Sequence, residues 1–250
     1  QRGHACDPVE QHLGGCHDPE RGESVGGTEG PLGLLTVEER YILAQRTARY
    51  HVLGTLEAAP QIWIALHGYG QLARYFLNSF KGLEQGRCIV APEGLSRFYL
   101  DAEHTRVGAT WMTREDRLHE IDDHLAYLAA LCDELRRSAM PGVRIRALGF
   151  SQGVATLMRW AVRGRTDLDE VVAWGGNLPP DLDPSRVRAR LSNATVHLVH
   201  GEADALVGPE VVERDAATLR ACGLGVELVL HAGGHALDRT TLARVLNGES

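Results

Sequence analysis

The chain has 250 residues, 44% of them hydrophobic and 24% charged, with a net charge of −7. That balance matches a globular chain able to bury a sizeable core, and the length suits one large α/β domain. The acidic excess leaves no basic footprint for nucleic acid or an anionic membrane. No apolar run approaches the roughly 20 residues of a membrane span.

Residues 1–35 are rich in Gly, His, Pro and acidic side chains, with almost no periodic apolar pattern. They read as a flexible tail ahead of a single domain over residues 36–250. The tail holds His4, Cys6, His12, Cys16 and His17. It has no C-x-x-C or H-x-x-x-H pair, so the spacing is poor for zinc and no metal is expected. It also lacks the basic start and apolar stretch of a signal peptide, which points to the cytoplasm. Five cysteines, odd in number and scattered, make no disulfide framework. Cys88 and Cys132 fall in apolar elements and read as buried free thiols in a reducing compartment.

Residues 44–53 alternate in part, as an edge strand does, and residues 55–60 read as a turn. Ile62-Trp63-Ile64-Ala65-Leu66 is a short apolar run, the mark of a strand buried on both faces. Leu72, Tyr75, Phe76 and Phe80 recur at helical spacing. Cys88-Ile89-Val90-Ala91 is a second buried strand, stopped by Pro92. Residues 95–113 read as a loop. A long helix follows, with Leu118, Ile121, Leu125, Leu128, Leu131 and Leu135 as its apolar stripe and Pro141-Gly142 as its stop. Residues 145–150 are a third strand, followed by a helix apolar all round. Val171-Val172-Ala173-Trp174 is a fourth strand and residues 195–199 a fifth. A helix opens at Pro209, a favoured first position, and stops near Gly223. Residues 226–230 form a sixth strand, and a last helix runs from the N-cap Asp238 to Gly248. Buried strands alternating with helices specify a mostly parallel sheet with helices on both faces.

Four motifs stand at strand ends. Gly149-Phe150-Ser151-Gln152-Gly153 has the G-x-S-x-G form, in which a serine on a sharp strand-to-helix turn projects out of the sheet edge. A buried strand before it and a buried helix after it supply the required context. A tight glycine turn with a capping serine is the bland alternative. Leu66-His67-Gly68-Tyr69-Gly70 follows a buried strand and can supply one oxyanion donor, the N–H of Tyr69; the N–H of Gln152 is the other. His67, ahead of the serine at a strand end, reads as a brace for its loop more than as a base.

The third motif, His200-Gly201-Glu202-Ala203-Asp204, offers Asp204 as a carboxylate to orient a histidine, with Glu202 as its rival and a plain turn role as the alternative. The fourth, Gly233-Gly234-His235, lets a loop histidine swing over the sheet edge; His200 and His231 compete for that role. Together Ser151, Asp204 and His235 fall in the order Ser, Asp, His, the chain order of α/β-hydrolases.

On these four motifs, residues 45–247 resemble the small α/β-hydrolases of the phospholipase/carboxylesterase family, relatives of the acyl-protein thioesterases. Phe150-Ser151-Gln152-Gly153 is far more specific than G-x-S-x-G in general. The resemblance implies the α/β-hydrolase fold and a catalytic triad of Ser151, Asp204 and His235. It also implies an oxyanion hole from the backbone of Tyr69 and Gln152. Gln71 and Leu72 stand where the thioesterases usually carry an acidic residue, and the stretch from Arg97 to Met112 looks closer to bacterial esterases.

The expected activity is therefore that of a serine carboxylesterase acting through an acyl-enzyme on a small-molecule ester, without metal or organic cofactor. A thioester, lysophospholipid or lactone substrate is the nearest alternative. A non-catalytic binding protein that keeps the fold is another. Phe98, Tyr99, Trp111 and Met112 are expected to wall a substrate pocket, with ordinary core packing as the competing reading. No insertion is long enough to serve as a lipase lid, so short or medium acyl chains are expected. The oligomeric state is not legible.

Overall fold

A computed structural model describes residues 37–249, so the histidines and cysteines of the tail lie outside the described residues. The chain divides into two units, Gln1–Gln45 and Arg46–Ser250. Of the first, residues 37–45 are described and hold neither helix nor strand.

The second unit runs β1 (Tyr50–Leu53), β2 (Gln61–Leu66), α1 (Ala73–Phe76) with a 3-10 extension (Leu77–Phe80), β3 (Cys88–Pro92), β4 (Ser96–Tyr99) and β5 (Val107–Thr110). It continues with α2 (Arg117–Ser138), β6 (Arg144–Phe150), α3 (Gln152–Arg163), β7 (Glu170–Trp174) and α4 (Pro184–Leu191). The chain then forms β8 (Thr195–Gly201), α5 (Pro209–Ala221), β9 (Val226–His231) and α6 (Arg239–Asn247). Seven strands pair in the order β1-β3-β2-β6-β7-β8-β9. All are parallel to their neighbours except β1, which runs antiparallel to β3 at the edge.

The continuous apolar runs follow from burial on both faces, because alternate side chains enter different cores. Ile62, Ile64 and Leu66 of β2 join Val90, Ile145, Ala147 and Val171 under helices α2 to α5. Trp63 and Ala65 join Ile89, Leu148, Val172 and Trp174 under α1 and α6. Each large residue so placed matters: truncating a fully buried tryptophan such as Trp160 costs about 3–5 kcal/mol. Among the described residues, no helix is long and apolar enough to cross a membrane.

Several expectations need correction. The edge strand covers only Tyr50–Leu53, and Pro92 is the last residue of β3, opposite Tyr50, rather than a stop before it. Leu118 is exposed, because the first turn of α2 runs past the core that buries Ile121 and Leu128. Residues 95–113 are not one loop: β4 and β5 form an antiparallel ribbon with Phe98 opposite Gly108. The short helix α4 was not foreseen. Its Asp183 cap accepts N–H bonds from Ser185 and Arg186, and Pro184 starts it, but it buries only Val187 and Leu191.

Candidate active site

Because β2, β6, β8 and β9 are parallel, their carboxyl ends share one edge of the sheet. The four motif loops leave from that edge, where ligands bind in open α/β folds.

Ser151 sits between β6 and α3 with φ 54° and ψ −119°. A non-glycine residue held there stores about 1–3 kcal/mol of strain. The flanking glycines permit the turn. A Cβ on Gly149 would lie 2.5 Å from the Gly153 carbonyl oxygen, and one on Gly153 would lie 2.4 Å from that of Leu66.

His235 Nε2 lies 2.9 Å from Ser151 Oγ, and His235 Nδ1 lies 2.7 Å from Asp204 Oδ2. The carboxylate accepts, so Nδ1 carries the proton and Nε2 is left to accept from the serine. Asp204 Oδ1 accepts from the N–H groups of Leu206 (2.8 Å) and Val207 (3.0 Å). Burial opposes the charge on Asp204, but the bonds from His235 and those two amides outweigh it. They hold its carboxyl below the usual range. The His235 ring rests on Phe150 at 5.0 Å between centroids, and Trp174 Nε1 donates to Ala236 O in the same loop.

The rivals sit elsewhere. Glu202 is exposed. His200 and His231 are buried, and His231 Nδ1 accepts from Gly233 N–H. His67 is fully buried and serves as a brace. Gly94 N–H donates to its Nε2 at 3.0 Å, so Nδ1 carries the proton and donates to Gly68 O at 2.8 Å. Burial lowers the pKa of this ring, in keeping with a neutral imidazole.

The His67–Gly70 turn lies against the serine, since a Cβ on Gly68 would be 3.2 Å from Ser151 Cβ. Among the described residues, neither Tyr69 N–H nor Gln152 N–H has a protein acceptor. Gln152 is the first residue of α3, where backbone N–H groups lack an intrahelical partner and the helix end favours negative charge. Such a pair of amides beside a serine can receive an oxyanion.

The β4–β5 ribbon braces both turns. Gly70 N–H donates to Ala109 O, and Trp111 Nε1 donates to His67 O. The Gln152 side chain accepts from Trp111 N–H and donates to Thr110 Oγ1 and Met112 O. That tether was missed in the sequence; the only cue was a polar amide at the first turn of a buried helix.

The four expected pocket residues divide. Phe98 stacks on Tyr69 at 5.0 Å and borders the site. Tyr99 lies on the other face of the ribbon against His104. Met112 faces Arg159, whose Nη1 is 3.4 Å from its sulfur. Trp111 is fully buried between His67 and His124, so its ring offers no surface to a ligand, and core packing is its place.

The phospholipase/carboxylesterase family model matches residues 51–247. Among solved structures, esterase PE8 aligns with a TM-score of 0.64 at 21% identity, over 82% of this chain and 100% of its own. Acyl-protein thioesterase 2 from Zea mays aligns with a TM-score of 0.64 at 21% identity, over 81% and 97%. The Bacillus cereus carboxylesterase aligns with a TM-score of 0.63 at 13% identity, over 81% and 93%. Among curated protein sequences nothing matches. These likenesses establish the α/β-hydrolase fold.

Proposed function

The chain belongs to the phospholipase/carboxylesterase family, a family of esterase- and thioesterase-type hydrolases, and we propose that it is a serine carboxylesterase of short- to medium-chain esters. The observation that carries this reading is the continuous hydrogen-bonded line Ser151–His235–Asp204 at 2.9 and 2.7 Å.

His235 Nε2 takes the Ser151 proton as Oγ attacks the ester carbonyl. Asp204 fixes the tautomer and stabilises the imidazolium that forms. The backbone N–H groups of Tyr69 and Gln152 hold the oxyanion, in a geometry that costs no reorganisation during the reaction. The imidazolium then returns its proton to the leaving alcohol. A water deprotonated by His235 hydrolyses the acyl-enzyme and frees Ser151. The neutral, hydrogen-bonded His67 takes no part in proton transfer and fixes the turn that carries Tyr69.

The test is hydrolysis of p-nitrophenyl acetate, butyrate and octanoate by the protein and by Ser151→Ala. Loss of nearly all turnover, with the circular dichroism spectrum unchanged, supports the reading. Equal turnover in both proteins overturns it. A fluorophosphonate probe should label Ser151 and no other residue. Acyl-thioester and lysophospholipid substrates in the same panel separate the ester reading from its nearest alternatives.

A further inference from the structure

Beside the Tyr69 turn lies a cavity of about 550 Å³, within the size range of small-molecule sites. Its walls come from the residues after the turn (Gly70, Gln71), from α1 (Arg74, Tyr75) and from the ribbon end (Leu100, Arg106). Arg74 and Arg106 are the only charged residues among its lining, and they come from different elements. In a chain of net charge −7, this concentrates positive charge with no lining carboxylate.

Among the described residues, neither guanidinium forms an ion pair. Arg74 spends one N–H on Tyr75 Oη and stacks its guanidinium over that ring, with Cζ 4.4 Å from the centroid, which leaves its other N–H groups free of a side-chain acceptor. Asp101 accepts from the N–H and hydroxyl of Thr105, each at 2.8 Å, and feels the charge of Arg106 without closing an ion pair with it. The planar forks therefore keep donors for a carboxylate.

Sheet order assigns this space to one half of an ester. Ser151 follows β6; the cavity turn follows β2 on one side of it, and His235 follows β9 on the other. Tyr69 and Gln152 take the oxyanion and His235 protonates the leaving alcohol on the β9 side, so of the two halves of the ester the acyl group is the one left to reach the cavity on the β2 side. On the esterase reading above, we infer that the preferred substrates carry an acyl group ending in a carboxylate, as in half-esters of dicarboxylic acids. Arg74 and Arg106 hold that carboxylate.

The experiment compares the p-nitrophenyl half-ester of adipic acid with its neutral isostere, p-nitrophenyl 6-methylheptanoate. A third substrate, the butyrate ester of 4-hydroxybenzoate, carries its charge on the alcohol side. The half-ester should give the higher kcat/KM, with a KM that rises with salt because both arginines are exposed. In R74Q/R106Q the ratio of kcat/KM, half-ester over isostere, should fall about tenfold or more. An unchanged ratio, or a wild-type preference for the isostere, overturns the inference while leaving the esterase reading in place. A preference for the benzoate ester that vanishes in R74Q/R106Q overturns the acyl-side assignment. Turnover of all three substrates no faster than that of Ser151→Ala overturns both readings.

Discussion

Asp204→Asn probes the site with the smallest change in shape. The two carboxylate oxygens are not equivalent. Oδ1 accepts from Leu206 and Val207 N–H, while Oδ2 faces His235 Nδ1. An asparagine NH₂ cannot replace Oδ1, because it would confront two N–H donors. Its carbonyl oxygen must stay there, and its NH₂ must point at Nδ1. The imidazole then satisfies that donor only by moving its proton to Nε2, where it faces Ser151 Oγ as a donor and cannot accept. A triad locked in the wrong tautomer loses about 10⁴ in kcat, or about 5.4 kcal/mol of transition-state stabilisation. The loop keeps its two amide caps, so the fold should survive. Steady-state kcat on p-nitrophenyl butyrate at pH 7 to 8, beside urea unfolding of both proteins, reads the two effects separately. A variant that folds and keeps more than about a tenth of wild-type kcat refutes the tautomer reasoning.

The same carboxylate predicts an acid limb. Its folded pKa is depressed, so its contribution to stability is present above the usual carboxyl value of 3.8 and is lost as pH falls through the lower folded value. Asp204→Asn should therefore show a shallower loss of stability than wild type below about pH 4 in urea titrations. Gln152→Ala orphans Trp111 N–H, while Met112 O keeps the Thr110 hydroxyl, and should cost about 1–2 kcal/mol of stability. Because its own N–H is then less well held, kcat should drop about tenfold with KM little changed, short of the 10²–10³ of a deleted donor. An unchanged kcat argues that the tether is only structural. Ser151→Gly should abolish turnover yet gain about 1 kcal/mol over Ser151→Ala in urea unfolding, by relieving the strained φ. Burial pushes the Cys88 and Cys132 thiols up to about 11, so at pH 8 a disulfide reagent should modify half-buried Cys222 well before either. Peptide mass mapping that finds all three equally labelled refutes this.

The sheet was readable because its inner strands are short, apolar on both faces and separated by helices. β2 announces itself as Ile62-Trp63-Ile64-Ala65-Leu66 since both cores must be fed from one strand. The meeting of Ser151, Asp204 and His235 was legible for a related reason. Parallel strands put every carboxyl end on one edge, so three residues just past strand ends converge whatever their separation in sequence. The sequence ranked Asp204 above Glu202, and His235 above His200 and His231, by their distance from the strand ends alone. The Nδ1–Oδ2 and Nε2–Oγ distances put those same side chains in hydrogen-bond contact with Ser151 at the end of the line.

The β4–β5 ribbon escaped because each strand is only four residues long and its strand formers, Phe98, Tyr99, Val107 and Thr110, make no alternating pattern. Ser96 and Arg97 are polar, Gly108 and Ala109 are small, and the residues between Tyr99 and Val107 dilute any alternation. The smallness is what the position demands: a Cβ on Gly108 would lie 2.5 Å from the Gly70 carbonyl oxygen. Close approach lets Ala109 take the Gly70 N–H, and so stiffens the turn carrying the free Tyr69 amide. The next residues, Thr110 to Met112, reach the Gln152 side chain and stiffen the other amide. The same ribbon supplies Arg106 to the cavity beside that turn. One element thus holds both amides and walls the cavity beside them. Substitutions that loosen it should lower kcat before they unfold the sheet, since the seven-stranded core is complete without it.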